Sequence, residues 1–199
     1  MNFLAHMLLS GSDTDIIAGN YVADFISNRE VKNYPTGIQN GIIIHRKIDF
    51  YTDTHPLVKQ STARLREHYH KYAPVVIDIL YDYVLVQNWD RYSELDIQNF
   101  CNNIYKALEA SYEWMPEKLV NRTKGMILSN WLVKYGTAKG INKTFEHLDK
   151  RTRFPTNFEN AFSIFVEDYN AYELEFNAFF PELINTLPHL LNNINFSAD

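Results

Sequence analysis

The sequence predicts an all-α protein, a bundle or array of helices forming one domain across residues 1–199. Three observations predict it. Gly and Pro number only seven each, too few to punctuate many short strands. Apolar residues recur at helical spacing along most of the chain. Pro35, Pro56, Pro74 and Pro116 each stand where a periodic stretch begins, and the first helical turn is where proline fits.

The elements follow in order. Leu4, Leu8 and Leu9 start an amphipathic stretch that breaks at Gly11-Ser12. Asp13 is placed to cap a second helix carrying Ile16, Ile17, Val22 and Phe25. After Asn33-Tyr34-Pro35, a third helix is expected to run to about Thr52, with Ile38, Ile42 and Ile48 on its apolar face. The run Ile42-Ile43-Ile44 is strand-like by propensity, but its flanks have helical period, so a buried helix is expected. Further helices are predicted at about 56–70, 74–91, 96–113, 116–135, 139–150 and 157–180, with Gly136 and Gly140 as stops or turn residues. Pro181 and Pro188 are expected to fragment the tail into short helical pieces.

Composition bounds the function. The chain is 46% hydrophobic, with 13 Tyr and 13 Phe, which implies a packed core and excludes a disordered interactor. A formal net charge of −5 gives no reason to expect nucleic-acid binding. The charge is unevenly spread: nine Lys/Arg stand against two acids from Lys118 to Arg153, and no Lys or Arg follows. Two solvated faces explain that distribution, and so does a basic stretch that steers an acidic partner. Cys101 stands alone, fits a reducing cytoplasm and reads as a small buried apolar residue. The opening Met1-Asn2-Phe3-Leu4-Ala5-His6 lacks a basic region and soon meets Asp13 and Asp15, so no secretion signal is expected. No apolar run is long enough to suggest a membrane span.

Polar residues recur at helical spacing within apolar stretches of the first half. Asn20 and Asp24 are four apart; His45, Asp49 and Asp53 stand at i, i+4 and i+8; Asp78 and Asp82 are four apart among Val75, Val76, Ile77, Ile79 and Leu80. Such residues share a helix face. The helix of Asp78 and Asp82 is so apolar that at least one of them is expected to point into protein, where a carboxylate needs a cation, a dense hydrogen-bond set or a metal. Carboxylates with imidazoles form a mixed N/O set suited to Mn²⁺, Fe²⁺, Mg²⁺ or Zn²⁺. Spacing alone also fits an exposed helix face, a hydrogen-bonded structural His6, and Arg46 simply pairing with Asp49 or Asp53. His68, His70, His147 and His189 read as surface or structural residues.

Several blocks in order resemble one family. They are Met1-Asn2-Phe3-Leu4-Ala5-His6; Gly19-Asn20-Tyr21-Val22-Ala23-Asp24-Phe25; Gly41 to Asp49 with its His45-Arg46 pair; Thr52-Asp53-Thr54-His55-Pro56; Asp78-Ile79-Leu80-Tyr81-Asp82 with Trp89; Trp131 to Tyr135; and Phe179-Phe180-Pro181. Together they resemble the acyl-carrier-protein phosphodiesterases. That resemblance implies a helical fold distantly related to the HD-type metal phosphohydrolases. It implies hydrolysis of the phosphodiester joining phosphopantetheine to a serine of acyl carrier protein, with Mn²⁺ as the expected ion and Mg²⁺, Fe²⁺ or Zn²⁺ as alternatives. It points to Asp24, His45, Asp78 and Asp82 as metal ligands and to Asp24, Arg46, Asp49 and Asp53 as catalytic, Arg46 holding phosphoryl oxygens. His6, Asn20, His55 and Tyr83 are supports. The family pattern often has His where this chain has Tyr83, a poor proton shuttle at neutral pH. Lys59, Arg64 and Arg66, or the basic 118–153 region, are candidates for docking an acidic carrier. Two other readings stand beside this one: a related phosphohydrolase acting on a small nucleotide-like substrate, and a non-catalytic module that binds carrier protein.

Overall fold

The computed structural model describes residues 1–150, 152 and 156–192. Its helices are α1 (Phe3–Leu9), α2 (Thr14–Val22), α3 (Thr36–Thr54), α4 (Pro56–Tyr69), α5 (Ala73–Gln87), α6 (Ile97–Ala110), α7 (Glu117–Leu128), α8 (Trp131–Lys134), α9 (Ala138–Asp149), α10 (Ala161–Glu167) and α11 (Tyr169–Asn192). Short 3₁₀ turns join several of them, and the described residues contain no strand. No described helix is long and apolar enough to cross a membrane.

Local chemistry sets the boundaries. The Asp13 carboxylate accepts from the backbone N–H groups of Asp15 and Ile16 and so starts α2 as expected. His55 ends α3 and caps α4 through its own Nδ1, with Pro56 in the first turn. Asp96 and Thr137 cap α6 and α9 in the same way. The isoleucine run lies inside α3, where Ile42 and Ile44 are buried against neighbouring helices; packing there overrides strand propensity.

The centre of the core is α5. Val76, Ile77, Ile79, Leu80, Tyr81, Val84 and Leu85 are all buried on it, and Asp82 is 0% exposed among them. Cys101 is buried on α6, and burial pushes its thiol up to about 12, so it packs as a small apolar group.

Three expectations are corrected. The stretch predicted as one helix over 157–180 is a 3₁₀ turn at Phe158–Asn160 followed by α10 and α11, which part at Asp168, whose backbone leaves the helical path. The stretch predicted as one helix over 116–135 is broken at Asn130, whose left-handed φ of 50° ends the helical path and separates α7 from α8. The tail is not fragmented: α11 runs through both Pro181 and Pro188. Each interior proline removes an N–H and crowds a carbonyl, at about 3 kcal/mol. The buried Phe176, Phe179, Phe180 and Leu183 of α11, which packs on α3, α4 and α5, offset that cost.

The contact that positions the site is between α2 and α3. A Cβ on Gly19 would lie 2.0 Å from the Ile38 carbonyl oxygen, and one on Gly41 would lie 2.3 Å from that of Ile16. Only glycine lets the two backbones meet this closely. Asn20 of α2 is thereby set against His45 of α3. The Gly41→Ala substitution is therefore expected to force the helices apart and destabilise the protein by about 1–3 kcal/mol, read as a lower urea midpoint with an unchanged m-value.

Candidate functional site

Four elements converge on two imidazoles. His6 comes from α1, Asn20 from α2, Asp24 from the turn that follows, and His45 and Asp49 from α3. The two rings stack with centroids 4.2 Å apart, and both are buried. The side-chain oxygen of Asn20 lies 2.8 Å from Nδ1 of His6 and 2.9 Å from Nδ1 of His45. Its amide nitrogen donates to the His6 carbonyl at 3.1 Å and to the Ser10 hydroxyl at 2.8 Å, which fixes which way the amide points. An oxygen facing both Nδ1 atoms makes each of them the N–H donor. Both Nε2 lone pairs are then aimed the other way.

That direction holds carboxylates. Nε2 of His6 lies 3.0 Å from one oxygen of Asp49, and Nε2 of His45 lies 3.0 Å from the other. Nε2 of His45 also lies 3.2 Å from Asp24. A neutral Nε2 and a carboxylate oxygen are both acceptors, so contacts this short require a shared cation. On His45 a proton serves: burial opposes its charge, but the hydrogen bonds to Asp24 and Asp49 outweigh burial and lift its pKa to about 9. His6 is held below its ordinary range, by burial first and with the neighbouring His45 charge adding to it, so it stays neutral beside Asp49. Both Asp49 and Asp24 are held below the usual carboxylate range; burial opposes this and the imidazoles win.

The donor set fits a divalent ion. Ligand atoms of His6, His45 and Asp49 lie within 4.8 Å of one another. Adjacent donors around an ion with bonds near 2.1 Å lie about 3 Å apart, the separation of Nε2 and carboxylate oxygen here. An ion at that point also satisfies the acceptor pair that His6 and Asp49 otherwise leave without a hydrogen.

The site opens into a cavity of about 630 Å³. Asp24, Asp49, Asp53 and Asp78 line one side; Phe3, Arg122, Trp131, Lys134, Lys143 and His147 line others. Asp53 is raised from its ordinary value, by burial and then by the charge of Asp78. Asp78 lies 3.1 Å from the amino nitrogen of Met1.

Several residues sit differently from expectation. Asp82, anticipated beside His45, spends both oxygens on the backbone N–H groups of Leu4 at 2.9 Å and Ala5 at 3.1 Å, capping α1 from 78 residues away. Burial pushes it up to about 7. Arg46 is exposed and does not line the cavity. His55 faces Glu182 at 3.1 Å and the Phe179 ring. Tyr83 packs edge-on against Phe162, Phe165 and Tyr169, outside the cavity. Arg64 is committed to the buried Glu175 in a two-pronged ion pair, and Lys59 and Arg66 are exposed on α4 away from the lining. The sequence reading passed over Arg122 as a site residue and took His147 for a surface or structural group; the only signal for either was the basic run of 118–153.

An all-α chain whose two buried imidazoles share a carboxylate that also lines a cavity has the build of an enzyme site. Residues 1–183 match the family described as acyl carrier protein phosphodiesterase, and the chain belongs to that family. Relatives bearing that name include one from Photorhabdus laumondii, 28% identical over 92% of this chain and 93% of that protein. Another, from Enterobacter sp., is 27% identical over 92% and 96%, and one from Yersinia pestis is 26% identical over 95% and 98%. No solved structure gives a significant match to the chain.

A pH prediction follows for metal-free protein. The His45 pKa rises from 6.5 to about 9 on folding, so its contribution to stability is full below about 6.5 and is lost as pH climbs through about 9. Chelator-treated wild type should lose more thermal stability between pH 6 and 10 than a His45→Gln variant does, measured by circular dichroism.

Proposed function

We propose that this chain is a phosphodiesterase that hydrolyses the bond between phosphopantetheine and a serine of acyl carrier protein, with a divalent ion held by His6, His45, Asp49 and Asp24. One observation carries the reading: Asn20 fixes both imidazole tautomers so that two Nε2 lone pairs and both oxygens of Asp49 converge at 3.0 Å. The N/O donor set suits Mn²⁺, with Mg²⁺, Fe²⁺ and Zn²⁺ within its range. Such an ion supplies Lewis acidity, acidifying water and offsetting charge on phosphoryl oxygens.

The chain's own residues take the remaining parts. Asp53 lines the cavity, and burial and then the charge of Asp78 raise it above its ordinary value, which makes it the stronger base for the proton of the attacking water. Asp24 and Asp49 hold the imidazoles in place. Asp82 belongs to the scaffold in this reading, since it positions the helix that carries His6. An acidic carrier meets a basic wall: Lys134 and Lys143 line the cavity and are exposed, with Lys139 exposed between them. The single buried thiol fits a reducing cytoplasm.

The deciding measurement is the mass of phosphopantetheinylated carrier protein before and after incubation with the Mn²⁺-loaded enzyme. Loss of the arm is expected, with a chelator abolishing it and added Mn²⁺ restoring it. An unchanged carrier, together with turnover of a member of a nucleotide panel, would overturn the reading. Asp49→Ala should lower kcat by more than about 10- to 100-fold, the cost of losing even an outer partner of a metal site, while Tyr83→Phe should leave turnover within about twofold because its ring lies outside the cavity.

A further inference from the structure

Arg46 belongs to the His45-Arg46 block of the sequence pattern, yet it stands outside the cavity that its neighbours on α3 line. Among the described residues it has neither a hydrogen bond nor an ion pair. Phe50 lies four residues further along α3, so the two side chains share a helix face. Phe50 is 69% exposed, more than any other Phe, Tyr or Trp among the described residues. A helix turns by about 100° per residue, which places Asp53 between the strip of His45 and Asp49 and the strip of Arg46 and Phe50. The exposed strip therefore borders the carboxylates that line the cavity.

Helix α5 adds a second apolar group to this border. Val75 is exposed and lines the cavity one turn before Asp78, as Phe50 stands one turn before Asp53. Asp53 and Asp78 lie within electrostatic reach of each other, so both apolar side chains stand beside the same pair of carboxylates.

A lone exposed ring needs no explanation. A ring next to an unpaired guanidinium, on the helix that carries the site, has the composition of an interface centre, where aromatic residues and Arg are enriched. The chemistry of the site names the occupant. In the phosphodiesterase reading the bond to be cut joins the arm to a serine of a protein, so the carrier's own surface has to come down on the rim once the arm is inside. Asp53 is exposed on that rim and repels an acidic carrier; Arg46, on the adjoining strip, supplies the opposite charge.

We propose that Arg46, Phe50 and Val75 form the docking surface for the carrier protein, with an apolar side chain of the carrier on Phe50 and a carboxylate on Arg46, so that the arginine of the sequence pattern grips the protein part of the substrate and not its phosphoryl group. The proposal rests on the phosphodiesterase reading above and deepens it.

Apo-carrier protein, the product without its arm, probes the surface alone, and free 4′-phosphopantetheine probes the cavity. Binding of each to the Mn²⁺-loaded enzyme is measured by calorimetry. Phe50→Ser should weaken apo-carrier by about 10-fold or more, the range of an interface hot spot. It should leave 4′-phosphopantetheine binding and Tm unchanged, because the ring is exposed and outside the lining. On phosphopantetheinylated carrier it should raise KM by a similar factor and keep kcat. Arg46→Gln should weaken apo-carrier and flatten the salt dependence of that affinity, which loss of a merely structural arginine would not do. Unchanged apo-carrier binding in either variant, or no apo-carrier binding by wild type, overturns the proposal. So does a fall of kcat with KM intact in Arg46→Gln, which returns that arginine to the phosphoryl group. A wild-type dimer that Phe50→Ser dissolves in sedimentation makes a second copy the occupant and overturns it too. Wild type that binds apo-carrier but never removes the arm sinks the phosphodiesterase reading instead, and the Phe50→Ser comparison still decides the docking surface.

Discussion

A single amide oxygen, that of Asn20, receives hydrogen bonds from two stacked imidazoles, and the chemistry of the site depends on it. Because the amide nitrogen is tied to the His6 carbonyl and to Ser10, the group has one orientation. With the tautomers set, the two Nε2 atoms become a pair of parallel acceptors aimed at Asp49. Neutral rings alone cannot satisfy that arrangement, so the fold creates a demand for positive charge at one point. Close packing of Gly19 on Gly41 brings Asn20 to His45, so the demand is written into the backbone as well as into the side chains.

Charge is distributed around that point with a clear division of labour. Asp24 and Asp49, which hold the imidazoles, line the cavity, and Arg122, Lys134 and Lys143 of α7 to α9 line it too, among apolar and aromatic groups. A substrate that carries a phosphodiester on an acidic protein needs both features: a carboxylate-rich place where water is activated, and a positive wall that tolerates its own charge. Arg122 lines the same cavity with the rings of Phe3, Phe25 and Trp131 around it.

Much of this was legible in the chain. Helical period and proline placement located most helices to within a few residues, because both reflect local sterics. The i, i+4 relation of His45 and Asp49 was visible for the same reason, and both now share one contact at 3.0 Å. Long-range pairings were not visible. Asp82 was noticed as a buried carboxylate, but its partners, Leu4 and Ala5, lie some 78 positions away and are backbone groups that carry no residue code. Arg64 looked like a docking charge because it stands with Lys59 and Arg66 close in sequence to the proposed site; its partner Glu175 comes from the far end of the chain. Pro181 and Pro188 misled for the opposite reason, since the local rule is sound and tertiary packing overrules it.

The support of α1 by Asp82 bears on how the molecule comes into being. A helix of seven residues, with no side-chain cap of its own at Asn2, is too short to persist in water. It acquires its missing acceptor only once α5 exists and has turned Asp82 inward. During synthesis the segment bearing His6 emerges almost first and must wait for most of the first half of the chain before it can settle. The imidazole cluster, although it contains some of the earliest residues made, is thus held in place only after a helix from the middle of the chain has formed.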